Sequence, residues 1–274
     1  MITNPLVSVV LPVYNAENFL VEAVESILTQ TFNNFEFIII DDCSTDNSWK
    51  MIQEYAQKDD RIIAVKNDVN LKLSKTLNKG ISLSKGKYIA RMDADDISMP
   101  DRFEKQISFL EANDKIGIIG SNIILIDEDN KILGYRKYQV DNMNIKQKIF
   151  YFSPFAHPAI VLRSSCLKKA GDYNDYFNPA EDYELYFRMG KYCDFANIDH
   201  DLLKYRIINN SMTTGNTSNM EKKTIEVRDQ YLNKKQMYYE YNYTVLIYNA
   251  LHKLSLKIMP SKLKMKIFNL LRNN

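Results

Sequence analysis

The chain has 274 residues, 45% of them hydrophobic, which is enough to bury the core of one large domain, alone or with a smaller appendage. The charges that sum to +2 are unevenly distributed, since residues 221–274 hold 11 Lys/Arg and 4 Asp/Glu. The remaining body is therefore acidic, which argues against extensive nucleic-acid binding. The basic C-terminal residues favour contact with an anionic surface. No apolar run approaches the roughly 18 residues that a membrane span needs, so we expect no transmembrane helix, and we also expect no signal peptide. The three cysteines are unevenly spaced, which predicts neither a disulfide framework nor a zinc site. We therefore expect a cytoplasmic location.

The first hundred residues alternate between strand and helix patterns. Continuous apolar runs predict buried strands at residues 6–13, 35–40, 62–65 and 86–92. Helical spacing predicts helices at 16–30 and 74–84. A third helix is predicted to be capped by Ser44 and Thr45 and to run through Tyr55. Because strands and helices alternate, we predict an α/β fold with a parallel sheet covered on both faces.

Beyond Pro100 the alternation is less regular. We predict a helix at 101–113, a strand at 116–126, an irregular polar stretch at 127–150, a strand at 154–162 and a helix at 182–190. From Met220 the chain is predicted to be helical and increasingly basic.

Three carboxylates, Asp93, Asp95 and Asp96, follow the predicted strand at 86–92. Acids this close repel one another and lose hydration unless a positive charge balances them. Mg2+ or Mn2+ is typically held by one or two carboxylates together with substrate phosphates, so this stretch predicts a metal site. A solvated acidic turn is the alternative that the residues leave open.

Two other predicted strands also end in polar residues, Tyr14-Asn15 and Asp41-Asp42. In an open α/β sheet, ligands bind beyond the carboxyl ends of the strands, so we expect all three strand ends to line one crevice. Tyr14 is suited to stacking on a flat base, and Asp42 to accepting hydrogen bonds from the edge of a base. Taken singly, Tyr14 is also consistent with a packing aromatic and Asp41-Asp42 with a helix-capping turn.

Several longer stretches occur together in a fixed order. They are Ser8-Val-Val-Leu-Pro-Val-Tyr-Asn15, Asp41-Asp-Cys-Ser-Thr-Asp46, Asn78-Lys-Gly80 with Gly86-Lys-Tyr-Ile89, Asp93-Ala-Asp-Asp96 followed by Pro100-Asp-Arg102, His157-Pro158 and Ala180-Glu-Asp182. Together they resemble the family 2 glycosyltransferases, which are inverting enzymes of the GT-A fold. The resemblance covers roughly residues 5–210 and is far more specific than any single motif.

The resemblance implies a GT-A fold with a Rossmann-like, mostly parallel central sheet flanked by helices. It places a glycosyltransferase domain at residues 1–219, with a nucleotide-sugar-binding half at 1–100 and an acceptor-binding half at 101–219, and leaves 220–274 as a helical basic C-terminal extension. It further implies a nucleotide-sugar donor, expected to be a UDP-sugar, Mn2+ or Mg2+ as the cofactor, and a saccharide or lipid-linked saccharide as the acceptor.

The resemblance also implies roles for single residues. The residues in contact with the donor would be Pro12, Tyr14, Asp42, Asp93 and, through phosphate, Arg206. Asp95 and Asp93 would bind the metal, and Asp182 would be the catalytic base. His157, Glu181 and Asp96 are further candidate contacts for the acceptor or substrate. An inverting transfer needs such a base, because the acceptor hydroxyl must lose its proton as it attacks. Glu181-Asp182 is also consistent with an acidic first helical turn, and His157 with a structural hydrogen bond.

The sequence departs from the family pattern in two places. Tyr205-Arg-Ile-Ile208 stands where the family has Tyr-Arg-x-His, which removes an imidazole that would contact metal or phosphate. The loop after the third predicted strand reads Asn70-Leu-Lys72, where the family often has a glycine after the asparagine. Without that glycine, we expect the loop to be less free to adopt unusual backbone angles.

Residues 261–274 have the pattern of an amphipathic basic helix. Leu263, Ile267, Leu270 and Leu271 share one face, and Lys262, Lys264, Lys266 and Arg272 lie among them. This pattern suits an anionic membrane interface and predicts a peripheral position at the inner face of the cell membrane. Docking on the chain's own domain or on a partner chain is equally open.

The preferred interpretation is a metal-dependent inverting glycosyltransferase of cell-surface polysaccharide biosynthesis. A sugar nucleotidyltransferase is one alternative, but it usually carries a glycine-rich basic loop where this chain has Tyr14-Asn-Ala-Glu17. A non-catalytic nucleotide-sugar-binding protein is another, and the intact Asp182 argues against it. No nucleic-acid partner is expected.

Overall fold

The computed structural model describes residues 4–208, 217–233, 239 and 241–258. The strands are β1 Val7–Val13, β2 Phe35–Asp41, β3 Ile62–Lys66, β4 Tyr88–Arg91, β5 Ile97–Ser98, β6 Ile116–Ile126, β7 Ile132–Arg136, β8 Val161–Arg163 and β9 Asp194–Arg206. The helices are α1 Leu20–Leu28, α2 Ser48–Lys58, α3 Lys72–Leu83, α4 Arg102–Ala112, α5 Asn142–Lys148, α6 Ser164–Ala170, α7 Glu181–Met189, α8 Thr217–Asn233 and α9 Tyr243–Ile258. Among these residues, none of the helices combines the length and the apolar composition that spanning a membrane requires.

The first four strands form the parallel half of a single sheet. β1 lies between β2 and β4, and β3 pairs with the far side of β2. Nearly every residue of β1 and β2 is buried because helices cover both faces, as their unbroken apolar runs predict. In α3, a Cβ added at Gly80 would lie 2.4 Å from Cγ1 of Val10, so the absence of a side chain allows this helix to pack closely on β1.

The second half of the sheet is mixed. The order is β3-β2-β1-β4-β8-β6-β9-β5, with β7 paired to β6. β8 runs antiparallel to both β4 and β6, whereas β6 and β9 run parallel. The predicted α/β fold, with helices flanking a central sheet, is confirmed; parallel pairing holds throughout β1 to β4, whereas the remainder of the sheet is mixed.

Three elements of the second half differ from the prediction. The stretch 127–150, predicted to be irregular, contains β7 and α5; β7 is largely exposed at the edge, so no buried apolar run marks it. The predicted strand at 154–162 is mostly a loop with a 3-10 turn at His157–Ala159, and β8 begins only at Val161. The long strand β9 was not predicted, because exposed polar residues near its middle interrupt its apolar pattern.

The described part of the predicted C-terminal extension packs on the body of the protein. Val227 and Tyr231 of α8 and Val245 of α9 belong to the same buried cluster as Phe187 of α7. The rings of Tyr231 and Phe187 stack with centroids 4.6 Å apart. Helices α8 and α9 therefore share the core of the protein, whereas the predicted amphipathic helix at 261–274 lies outside the described residues.

Candidate active site

The candidate site lies where β1, β2 and β4 end. Because these strands are parallel, the residues that follow them, Tyr14-Asn15, Asp41-Asp42 and Asp93–Asp96, occupy one edge of the sheet, as predicted. Pro12 lies near the end of β1 opposite Ile40 and is half-buried. The side chain of Tyr14 is 52% exposed, which leaves its ring accessible to a flat ligand.

The loops after β1 and β2 are tied together. The Asn15 amide N–H donates to Ser44 Oγ at 3.0 Å, and the Thr45 amide N–H donates to Asn15 Oδ1 at 2.8 Å. Ser44 and Thr45 therefore bind the neighbouring loop. They do not cap the following helix as predicted, since α2 begins only at Ser48.

Asp42 is buried and organises the loop that follows β3. Its Oδ1 accepts hydrogen bonds from Asn67 Nδ2 and the Leu71 amide, both at 2.8 Å, and its Oδ2 accepts one from the Lys72 amide at 2.9 Å. The neighbouring Asp41 is also buried, and its Oδ1 has no hydrogen-bond partner among the described residues. The hydrogen bonds of Asp42 thus lie within the protein. Of these two acids, it is Asp41 that has a carboxylate oxygen without a partner among the described residues.

The loop after β3 adopts an unusual backbone angle without a glycine. Lys72 has φ of +70°, a left-handed conformation that costs a non-glycine residue about 1–3 kcal/mol. The bond from its amide to Asp42 favours this conformation. The prediction that this loop would avoid such angles is wrong, because a long-range hydrogen bond replaces the freedom of a glycine.

The three carboxylates after β4 form a compact cluster. One oxygen from each of Asp93, Asp95 and Asp96 lies within 4.8 Å of the others. Burial and the charge of Asp93 raise the pKa of Asp95 to about 6. Burial, with Asp95 and Asp93 as further causes, raises the pKa of Asp96 well above its usual value. The cluster therefore resists full ionisation in the absence of a cation.

These residues fit a hard divalent cation. All three contribute oxygen, the ligand type that Mg2+ and Mn2+ prefer. Asp96 Oδ1 accepts a bond from the Arg206 amide at 2.8 Å, while its buried Oδ2 has no hydrogen-bond partner within the described part of the chain. The crowding of negative charge and the unpartnered oxygen both indicate a site built to receive positive charge.

Arg91 is a site residue that the sequence reasoning missed. Its side chain is almost fully buried and forms an ion pair with Asp93. Its positive charge also opposes the burial-induced rise in the pKa of Glu181 and of Asp182 at the start of α7. The available signal was a charged residue inside an otherwise apolar strand, since a buried arginine requires a partner.

The two acids at the start of α7 differ in environment. Burial, and next the charge of Asp182, raise the pKa of Glu181 to about 8, so Glu181 is protonated at neutral pH. Burial raises the pKa of Asp182, whose Oδ1 accepts a hydrogen bond from the Tyr183 amide at 2.6 Å. A carboxylate with a raised pKa is a stronger proton acceptor, which suits a general base.

His157 lies in the 3-10 turn before β8. Its Nε2 and the hydroxyl of Tyr173 are hydrogen-bonded at 2.7 Å. Burial, together with the positive charge of Arg91, lowers the pKa of His157 well below its usual value, so the imidazole is neutral at physiological pH. The hydrogen bond with Tyr173 is a contact within the protein, consistent with the structural alternative for His157.

Arg206, predicted to contact the donor phosphate, is instead buried in a network of protein contacts. Its Nε donates to the Asp95 carbonyl at 2.7 Å, its Nη1 to the Asp127 carbonyl at 3.0 Å, and its Nη2 to Glu22 Oε2 at 2.6 Å. Its guanidinium also lies over the Phe19 ring, 4.6 Å from the centroid. With none of its side chain exposed, Arg206 offers no surface to a phosphate and serves to hold the acid cluster in place.

Replacing Arg206 with alanine is therefore expected to destabilise the protein by about 3–5 kcal/mol, because it breaks a buried charged network. The measurement is the free energy of unfolding in urea. Glu22→Gln is the matched control: it removes one partner that is 42% exposed and is expected to cost less than about 1 kcal/mol. Equal stability of Arg206→Ala and wild type would contradict the structural role.

Comparisons with known proteins identify the family of this chain. The family model described as glycosyl transferase family 2 matches residues 8–169. An uncharacterised glycosyltransferase of Methanocaldococcus jannaschii is 37% identical over 245 residues, covering 86% of this chain and 77% of that protein. The O-antigen biosynthesis glycosyltransferase WbnJ of Escherichia coli is 34% identical over 213 residues, covering 75% and 81%.

Solved structures share the fold at low sequence identity. Staphylococcus aureus TarS 1–349 in complex with UDP-GlcNAc superposes with a TM-score of 0.66 at 17% identity, covering 81% of this chain and 65% of that one. The mannosyltransferase PcManGT of Pyrobaculum calidifontis, in complex with GDP-Man and Mn2+, superposes with a TM-score of 0.66 at 13% identity, covering 93% and 71%. The family model matches more than half of this chain, and the two relatives named above are each more than 30% identical to it. This chain therefore belongs to glycosyltransferase family 2 and is a glycosyltransferase.

Proposed function

We propose that this glycosyltransferase is a metal-dependent, inverting enzyme that transfers a sugar from a UDP-sugar to a saccharide or lipid-linked saccharide in cell-surface polysaccharide biosynthesis. The observation that carries the proposal is the compact cluster of Asp93, Asp95 and Asp96 oxygens, within 4.8 Å of one another, at the carboxyl ends of the parallel strands. The similarity to a protein named for O-antigen biosynthesis and to a structure holding UDP-GlcNAc supports the acceptor and donor classes. The similarity to a structure holding Mn2+ supports the metal.

The donor would occupy the edge formed by the ends of β1, β2 and β4. The exposed ring of Tyr14 would stack on the base, with Pro12 beside it and Asp42 shaping the pocket through the loop after β3. Asp93 would bind the ribose or diphosphate. Mn2+ or Mg2+, held by Asp95 and Asp93, would stabilise the negative charge on the leaving nucleoside diphosphate.

The acceptor would enter from the side of α7. Asp182 would take the proton of the acceptor hydroxyl as that oxygen attacks the anomeric carbon, and attack opposite the leaving group inverts the configuration. Glu181, neutral below a pH of about 8, would be able to donate a hydrogen bond to the acceptor. His157 and Asp96 remain further candidate contacts in the same neighbourhood.

The proposal places the enzyme at the inner face of the cell membrane. The basic C-terminal residues, including the predicted amphipathic helix at 261–274, support this position because the cytoplasmic leaflet carries anionic lipids. A lipid-linked acceptor would be presented at the same surface.

A panel of nucleotide-sugars tests the proposal. We expect one UDP-sugar to raise the thermal unfolding temperature in the presence of Mn2+ and not in its absence, since a ligand that binds the folded state stabilises it by mass action. The transfer product, followed by proton NMR before the anomers equilibrate, should have the opposite anomeric configuration to the donor. Stabilisation by GDP-sugars alone would contradict the donor assignment, and stabilisation without metal would contradict the metal dependence.

A further inference from the structure

The outer face of helix α9 is apolar. Its exposed large apolar side chains are Tyr243 (83% exposed), Leu246 (42%), Ile247 (59%), Leu251 (59%) and Leu254 (51%). At 100° per residue these positions lie along one side of the helix, and the buried residues Val245 and Asn249 lie on the other. We refer to the five exposed residues as the α9 stripe.

The α9 stripe is unusual for a surface helix. Such a helix normally turns its apolar side chains to the core and exposes polar ones. Among the other helices in the described ranges, none exposes more than one large apolar side chain. A contiguous exposed apolar surface of this kind marks a contact with another molecule or with a membrane.

The sequence from α9 to the end of the chain carries only positive charge. From residue 241 to the end of the chain there is no Asp or Glu, and there are six Lys or Arg residues, at positions 253, 257, 262, 264, 266 and 272. Lys253 pairs with Asp229 of α8 at 2.7 Å, so this lysine is anchored to the body of the protein. An apolar helix face in a stretch of sequence whose only charges are positive is complementary to a surface that combines hydrocarbon with negative headgroups.

We propose that the α9 stripe lies on an anionic lipid bilayer, with its aliphatic side chains at the boundary between headgroups and acyl chains. An interfacial helix binds by buried apolar area together with attraction of basic residues to anionic lipids, and both components are present here. Tyr243 at the start of the stripe has the amphipathic character favoured at that depth. The inference deepens the membrane association proposed above by assigning the contact to a described surface, and its test does not depend on the transferase reaction.

The position of α9 links this surface to the candidate active site. Asn249 Nδ2 donates to Asp229 Oδ1 at 2.7 Å, and buried Arg228 of α8 contacts His252 of α9 at 2.8 Å and donates to the Tyr183 hydroxyl of α7 at 3.2 Å. Helices α9, α8 and α7 are thus connected by buried and partly buried polar contacts. Since α7 carries Asp182, binding through the α9 stripe would set the orientation of the acceptor side of the site relative to the bilayer.

The test is co-sedimentation of the full chain with vesicles of phosphatidylcholine alone and of phosphatidylcholine mixed with phosphatidylglycerol. We expect the wild type to bind the mixed vesicles and the double variant Ile247→Glu/Leu251→Glu to bind them at least about tenfold more weakly. Both positions are exposed, so the variant is expected to fold. The matched control, Leu133→Glu/Met143→Glu, places the same charges at exposed apolar positions elsewhere and is expected to bind like the wild type.

Three results would overturn the inference. They are a wild type that does not bind the mixed vesicles, a stripe variant that binds as well as the wild type, and a control variant that loses binding to the same extent. Sedimentation velocity adds a fourth: a wild-type dimer that the stripe variant converts to a monomer would make this face a contact between copies of the chain. Donor hydrolysis by the same samples reports separately on the proposed transferase activity.

Discussion

Replacing Asp182 with asparagine is expected to lower the rate of sugar transfer by about 10²–10⁴-fold while leaving donor affinity unchanged. The amide has nearly the shape of the carboxylate but cannot accept the proton of the attacking hydroxyl. The hydrogen bond that Asp182 Oδ1 accepts from the Tyr183 amide can be retained by the amide oxygen, so the start of α7 is preserved. Steady-state transfer rates and calorimetric titration with the donor and Mn2+ give the two quantities.

The pH dependence provides a second readout of the same residue. Because burial raises the pKa of Asp182, the deprotonated base is present above that raised pKa and is lost as the pH falls through it. The wild-type rate should therefore decline on the acidic side, and the residual rate of Asp182→Asn should lack this decline. Asp114→Asn, at an exposed position in the turn before β6, is the matched control with unchanged rates. A fully active Asp182→Asn enzyme would assign the base to another group.

Replacing Asp95 with alanine is expected to abolish metal-dependent donor binding. Loss of a carboxylate that directly holds the cation should lower metal affinity by more than about a hundredfold, since even outer-shell changes cost 10–100-fold. Calorimetry with UDP and Mn2+ measures this directly. Asp60→Ala, which removes an exposed carboxylate just before β3, is the matched control with wild-type affinity.

The same variant should be more stable than the wild type in the absence of metal. The pKa of Asp95 in the folded protein is raised to about 6, so the stability associated with its protonated form is lost as the pH rises through about 6. Asp95→Ala carries no such group and should keep a higher unfolding temperature above that pH. Unchanged affinity for UDP with Mn2+ would contradict the assignment of Asp95 as a metal ligand, whatever its effect on stability.

The family assignment also narrows the alternatives raised by the sequence. Membership of glycosyltransferase family 2 favours a transferase over a sugar nucleotidyltransferase, whose glycine-rich loop is missing after β1. The roles of Asp182, Asp93 and Asp95 remain proposals, which the variants of Asp182 and Asp95 test. The presence of Asp182 in the sequence argues against a non-catalytic binding protein, which would not need a base at this position.

The sequence by itself determined the parallel half of the sheet and the location of the site. The apolar runs of β1 and β2 predict strands buried on both faces, and polar residues mark the ends of β1, β2 and β4. These are local signals, since a buried strand needs unbroken apolar residues and a strand end at a site needs polar ones. For the same reason β7, exposed at the edge, and β9, interrupted by polar residues, were not predicted.

The tertiary structure alone decided which polar groups are satisfied within the protein. Arg206 meets Asp96 across 110 positions of the chain and Glu22 across 184, and these contacts remove it from the set of donor ligands. Asp42 likewise holds a loop about 30 positions away. Arg91 became a site residue only when the structure showed its buried side chain paired with Asp93. A side chain has the same chemistry whether its partner is a substrate or a distant part of the chain, and only packing determines which of the two is within reach.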